Sequence, residues 1–456
     1  TPSPGRNHPA DIIRMANQGL LPHLIPIRYK RMLRSPLAFF RGAAALMAYD
    51  LSTLPRSNII VQACGDCHLS HFGFFPAPDG SLSCDISSCD ETHPAPFEWD
   101  VKRLATSLFI ATQTAGCRKK DCVKVVLACL SSYHEAMLSF SAMGLSEIRG
   151  ARNPPSDINT LFRSGKDRSV AKRITGRTRK KTAEYIFPGI TRDQGGRWKI
   201  ADERLLIAHP ASDQGYGELL GAFDQYTRSL TAEQQFLLNR YRIADFVIRT
   251  VGISGMGTRC GIFLLMSEED EPLFIQIREA RPSVLEPFTR PSPYQTRGER
   301  IVQGQRMIQS ASDPFLGWTG ENSGIQYFCS QYREMNLFTG PLAQDQGSLQ
   351  GYAGICGWTL ARAHARAGDA PLIAGYIGKD DTFDTAIASF AKAYAKQNES
   401  DLRDVETAWR SGQLTPEGPA EEGTVWADPS PGKRSGKPGK AGEEFSTDER
   451  KEPESP

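Results

Sequence analysis

Apolar residues recur along this chain with two different periods, and the change of period divides it. At 11–19, 37–51, 101–115 and 122–143 they return every three or four positions, as at Leu104, Leu108 and Ala111, which predicts helices. Ser35-Pro36 gives the 37–51 helix a cap and a first-turn proline, and its apolar residues cover most faces, so it is expected to be buried. Between these helices, 58–64 reads as a β-run that ends abruptly at Gly65-Asp66. A Pro/Gly turn at 76–80 then leads to a second short strand carrying Asp85, Asp90 and Glu91.

Residues 197–200, after Gly195-Gly196, predict part of a hairpin, and 216–241 read as helical. The period then shortens. Residues 244–257 form an apolar strand entering a glycine-dense turn, and strands follow at 261–266 and 273–279 around an acidic turn, which predicts a small antiparallel sheet. Helical spacing resumes at 300–312, 349–366 and 383–399. These shifts predict a mainly helical lobe over 1–240, a small β lobe over 241–290, a helical region over 291–414 and a disordered Pro- and Gly-rich tail over 415–456.

Composition narrows the class. The 456 residues are 39% apolar, enough for a core, and no run approaches the roughly 20 apolar residues of a membrane span. The 10 cysteines are scattered through predicted helices and strands, which predicts reduced thiols and a cytoplasmic protein. A net charge of +2 hides a basic insert at 149–181, with 11 Lys/Arg against Asp157 and Asp167. Only Phe162 offers it an aromatic ring, so it reads as a solvated segment rather than a nucleic-acid site.

The candidate chemistry gathers at 62–100. Asp66 follows a glycine at a strand end, with His68 and His71 close behind; it suits either a catalytic carboxylate or an Asx-turn residue. The turn Gly252-Ile-Ser-Gly-Met-Gly257 lets backbone amides approach a phosphate, through Gly252, Ser254, Gly255 and Gly257. Arg278, one strand later, supplies a cation, or else a plain salt bridge with a neighbour such as Glu279. Cys64, Cys67, Cys84 and Cys89, with both histidines, offer a competing zinc set, although strand spacing makes Cys64 and Cys84 small core residues.

Several stretches resemble the bacterial family catalogued as domain of unknown function 2252, across roughly residues 7–410. They are IPIRYKRMLRSPLAFFRGAAALMAYDL from Ile25, GDCHLSHFG from Gly65, FEWDVKRLATS from Phe97, GQRMIQSASDPFLGW from Gly304 and LARAHARAGD from Leu360. The family's motifs look like those of kinase-like phosphotransferases, the aminoglycoside phosphotransferase group especially. That resemblance implies an α+β, two-lobed protein-kinase-like fold in circularly permuted order, with the helical catalytic-loop lobe first. It implies ATP with Mg2+ or Mn2+, and a hydroxyl or amine acceptor that the sequence leaves open. By position, Asp66 would be the base, His68 the loop histidine and Asp100 the structural aspartate of the next helix. The 252–257 turn and Arg278 would take the phosphate loop and the nucleotide lysine.

The chain departs from the family pattern at the metal positions. His71 stands where the family has asparagine, Ser88 where it has the magnesium aspartate, and Arg278 where it has lysine. His71, Asp90 and Asp85 are then the candidate metal contacts, with Asp90 the better substitute. Three readings stay open: a phosphotransferase, a catalytically inactive pseudoenzyme that binds a nucleotide or a partner, or a zinc-binding module at Cys64, Cys67, Cys84 and Cys89.

Overall fold

The computed structural model describes residues 5–76, 82–87, 89–152, 183–195, 197–203, 207–210, 213–250, 252–319, 324–332 and 346–414. Ser88, most of the basic insert and the predicted disordered tail lie outside the described residues. The protein is a mixed α+β chain.

Helices α1 (Pro9–Ala16) and α2 (Ile25–Met32) open it. The apolar stretch 37–51, expected as one helix, folds as two: α3 (Pro36–Gly42), with Ser35 Oγ accepting from Ala38 N at 3.1 Å, and α4 (Ala44–Ser52). The break at Ala43 leaves the Gly42 carbonyl for Arg28 Nη2, which donates to it at 2.9 Å. Glycine is needed there because a Cβ would lie 2.5 Å from Met32 Cγ.

Strand β1 (Ile60–Ala63) comes next, then the hairpin of β2 (Phe72–Pro76) and β3 (Leu82–Ile86), and then β4 (His93–Pro96), which returns antiparallel to β1. Asp85 lies on β3, whereas Asp90 and Glu91 sit in the turn after it, so strand alternation does not govern them. Helices α5 (Phe97–Thr114), α6 (Lys119–Ser141) and α7 (Leu145–Gly150) follow.

The middle of the chain holds α8 (Ala183–Ile190), the hairpin of β5 (Thr191–Asp193) and β6 (Trp198–Ile200), and β7 (Ile207–Ala208). The expected helix at 216–241 is two helices and the start of a strand: α9 (Asp213–Arg228), α10 (Ala232–Leu238) and β8 (Tyr241–Arg249). Thr231 and Gln234 form a capping box that starts α10 afresh. Strands β9 (Cys260–Ser267) and β10 (Pro272–Glu279) follow, then α11 (Arg297–Ile308), β11 (Gly317–Trp318) and β12 (Tyr327–Gln331). The sheet is antiparallel in the order β11-β12-β10-β9-β8-β7, so it recruits strands from both sides of 241–290. The chain ends with α12 (Gln346–Arg366), α13 (Ala370–Ile377) and α14 (Thr382–Arg410).

Each part has its own core. On the sheet, Phe246, Phe263, Leu265, Ile275 and Ile277 pack under Phe223 and Tyr226 of α9, while Val247, Ile262, Leu264 and Phe274 face Phe187 and Trp198. Both faces are covered, which is why β9 is buried at every position and reads as an unbroken apolar run. The helical body is built on α5, α6, α12 and α14. Helices α6 and α12 cross so closely that a Cβ at Gly357 would lie 2.0 Å from Cys129 O. A third cluster joins α1–α4 to the end of α14 through Tyr29, Phe39 and Val405. The cleft described next lies where α1–α4 and the 64–91 loops meet β10 and the turn before β9.

Candidate phosphate-binding cleft

The Gly65-Asp66 loop is fixed from below. Gly65 has φ +85°, and a Cβ on it would lie 2.3 Å from the Glu91 carbonyl oxygen, so only glycine lets the two loops touch. Asp100, in the first turn of α5, accepts from Cys64 N at 2.6 Å and from Gly65 N at 3.0 Å. His364 Nε2 lies 3.4 Å from the same carboxylate, and Tyr133 Oη lies 2.9 Å from His364 Nδ1. Burial raises the Asp100 pKa, against the opposing pull of His364. The position that the family resemblance marks as structural therefore holds the loop backbone.

Asp66 is 5% exposed. Arg103, from the middle of α5, donates to its Oδ1 through Nε at 2.7 Å and through Nη2, and also reaches the Phe40 carbonyl at 3.1 Å. The guanidinium stacks over the Phe40 ring at 4.4 Å. Asp66 Oδ2 lies 3.8 Å from His68 Nε2. His68 is fully buried and its Nδ1 accepts from Ser70 N at 3.2 Å, so the ring proton sits on Nε2. Burial, with His71, Arg41 and Arg103 nearby, holds its pKa well below the ordinary value. The His71 ring stacks on it at 3.8 Å. Burial opposes charge on His71, but a hydrogen bond to Cys64 and the nearby Asp66 carboxylate outweigh it and raise its pKa.

Across the cleft, Arg28 Nη1 donates to the carbonyls of Ile253 (2.7 Å) and Ser254 (2.8 Å), which ties the turn's oxygens to α2. The N–H groups of Ser254 and Gly255 make no hydrogen bond to another described residue. Gly257 has φ +93° and its carbonyl accepts from Leu21 N at 2.8 Å. Arg278 Nη2 pairs with Asp90 rather than with Glu279, which Arg259 holds at 3.2 Å. Buried Arg300 ties the two walls together by donating to the carbonyls of Asp90 (3.0 Å) and Arg281 (2.8 Å). Burial pushes Glu91 up to about 7, while Val284 N donates to its Oε2 at 2.7 Å.

Asp66, His71, Asp90, Glu91, Ser254, Gly255 and Arg278 line one cavity of about 610 Å³. Of the other predicted residues, His68 lies directly behind Asp66 and His71, and Gly252 and Gly257 flank the turn. Asp85 is not among the cavity's lining residues: Arg362 Nη2 donates to it at 2.6 Å, and Ser310 N and Oγ each donate to it at 2.8 Å. Arg28, Arg41, Arg103 and Arg281 belong to the site or its support and were not among the predicted residues. The clearest sequence signal among them is at Arg41, a guanidinium set among apolar helical neighbours in Ala38-Phe-Phe-Arg-Gly-Ala43.

The residues do not fit a magnesium or manganese ion. Among the described residues, the set of three or more ligand atoms that all lie within 4.8 Å of one another comes from Asp66, His68 and His71. His68 Nε2 carries a proton, and Arg103 occupies Asp66 Oδ1 twice, leaving one oxygen and one imidazole for a hard ion that prefers several oxygens. Asp90 is held by Arg278. The thiols do not converge as a set of four. Cys64 Sγ is 3.5 Å from Cys89 Sγ, but Cys84 Sγ faces Thr359 Oγ1 at 3.1 Å.

Among the described residues, no helix is long and apolar enough to cross a membrane. No curated protein and no solved structure shows significant similarity to the chain. Residues 20–407, most of its length and every cleft residue from Leu20 to Phe288, match the profile of an uncharacterized protein family conserved in bacteria (DUF2252), and the chain belongs to that family.

Proposed function

We propose that the protein is a kinase-like phosphotransferase, circularly permuted so that the base-bearing helical part precedes the phosphate-binding sheet, and that it acts on ATP in the cytoplasm. The observation carrying this reading is the convergence of Asp66, the 252–257 turn and Arg278 on one cavity, although more than 180 residues separate the first from the other two. Asp66 Oδ2 is the acid–base atom. As the acceptor's oxygen or nitrogen bonds to the terminal phosphorus and the phosphoanhydride bond breaks, Oδ2 takes the acceptor's proton and ADP leaves. Ser254 and Gly255 N–H, with Arg278, hold the phosphate oxygens. Arg103 keeps Asp66 in one orientation, and no step is assigned to a metal.

The test is thermal unfolding with ATP, with and without divalent ions, alongside release of labelled phosphate from ATP by the wild type and by Asp66→Asn. Stabilisation by ATP, with turnover that Asp66→Asn abolishes, is the expected result. No stabilisation at saturating nucleotide under any condition rejects the reading. A second reading, an inactive nucleotide-binding module, is favoured by the Arg278–Asp90 pair, which closes the phosphate cation on the intended metal carboxylate. It predicts stabilisation by ATP with no turnover in either protein.

A further inference from the structure

The charge in this cleft is not arranged for a phosphate–metal complex. Arg41 lines the cavity, and its guanidinium has no hydrogen bond or ion pair to any described residue. Its Nε is buried without an acceptor, and burial lowers the Arg41 pKa against the pull of the nearby Asp66 charge, so this cation is partly withdrawn from water with no direct protein partner. Three of the cavity's carboxylates are already engaged, Asp66 by Arg103, Asp90 by Arg278 and Glu279 by Arg259, and burial pushes the fourth, Glu91, toward its neutral form. Arg278, which lies over the Phe328 ring, uses only Nη2 on Asp90, and its Nε and Nη1 make no hydrogen bond to a described residue. His68 Nε2, protonated and buried, also lacks an acceptor. Donors therefore prevail among the unused groups beside the cavity, and most of the carboxylate oxygens that a divalent ion needs are already engaged by guanidinium groups.

We propose that this cleft captures a polyphosphate anion free of divalent metal, with Arg41 and Arg278 supplying the positive charge. The proposal rests on the phosphate-binding reading above and adds the ionic form of the ligand. Guanidinium groups suit the task, because their planar forks bind two phosphate oxygens at once. A metal brought in with the ligand would meet Arg41 and Arg278 where it needs carboxylates.

Calorimetric titration of the full chain with inorganic tripolyphosphate and with ATP, each in EDTA and in excess Mg2+ or Mn2+, tests this. Both probes are expected to bind in EDTA at least as tightly as with metal. Arg41→Gln is expected to weaken binding about tenfold or more, the worth of a lost charge-assisted contact. Its unfolding midpoint without ligand should not fall, since Arg41 holds no protein partner. Arg41→Lys keeps the charge but loses the fork; it should bind more weakly than the wild type, and it serves if Arg41→Gln does not fold. Binding that requires a metal overturns this proposal and leaves the phosphotransferase reading in place. Binding in EDTA that neither Arg41 variant weakens also overturns it. Absence of binding by either probe under every condition overturns both readings.

Discussion

At the scale of single residues, the cleft is governed by carboxylates whose neighbours decide what each one does. Asp66 and Arg103 are 5% and 2% exposed, so neither can fall back on water if its partner is lost. Arg103→Ala is expected to cost about 3–5 kcal/mol by urea unfolding, the usual penalty for stranding a buried charge. Asp66→Asn placed on top of it should recover part of that loss; a double variant no more stable than Arg103→Ala would show that the cost is lost packing on Phe40. Glu91 behaves differently. Burial lifts its pKa from an ordinary 4.5 to about 7, so the folded state prefers the neutral acid. Below pH 4.5 both folded and unfolded states carry the proton; between 4.5 and 7 the unfolded state loses it first, and stability falls as pH rises. Glu91→Gln removes that loss while keeping an acceptor for Val284 N. The variant should match the wild type in melting temperature at about pH 4 and exceed it at about pH 8, a gap opening through the window between. A gap that is the same at both ends would place the effect in packing rather than protonation.

At the scale of elements, the cleft exists because Arg28 on α2 seizes the turn between β8 and β9. The pair of bonds to Ile253 O and Ser254 O spans more than 220 residues of sequence, and burial lowers the pKa of this arginine to about 10 without neutralising it at ordinary pH. Arg28→Met strands those carbonyls and the Gly42 carbonyl; it should cost about 2–3 kcal/mol, read from urea unfolding. Amide exchange should quicken at 253–258 and not in β9, and equal quickening in both would mean the whole sheet has loosened. This contact also shows where sequence reading stops. Asp66, Asp90 and Arg278 were legible because local signals mark them: a glycine at a strand end, an acidic turn, a cation in an apolar strand. Arg28, Arg41 and Arg103 sit inside helices where nothing in the sequence separates them from the other charged residues, such as Lys30, Arg31 and Lys102, and only packing decides which guanidinium is anchored and which is left facing the cavity. Asp85 and Asp90 look alike in sequence, yet Arg362, 277 residues further on, claims the first. The sheet was undercounted for a related reason, since β7 and β11 have two residues each, too short to show alternation. The division of α3 from α4 falls at Gly42-Ala43, where a single glycine in an apolar run is a weak breaker and the Arg28 contact takes the freed Gly42 carbonyl.

At the scale of the whole molecule, the cleft lies where separate cores come close. The sheet clusters, the α5–α6–α12–α14 body and the α1–α4 cluster share few side chains, and the cleft walls meet through polar links: Arg300 to Asp90 and Arg281, Ser283 Oγ to the Glu91 carbonyl at 2.7 Å, Arg28 to the turn. Polar links of this kind are individually modest, so local opening along the cleft should be easier than unfolding of either core. A ligand held by Arg41 on one side and by Arg278 and the turn on the other would act as one more link across that seam. At about 100 times its dissociation constant it should add roughly 2.7 kcal/mol to unfolding, whichever wall it prefers. The distribution of protection is the sharper readout. Hydrogen exchange with saturating ATP should slow at 65–71 and 89–91 together with 253–258 and 278–283, because opening either wall would release the ligand. Slowing confined to the 253–258 side would mean the phosphate rests on the turn alone, leaving Asp66 without a ligand to act on, and the phosphotransferase reading would then give way to the binding module.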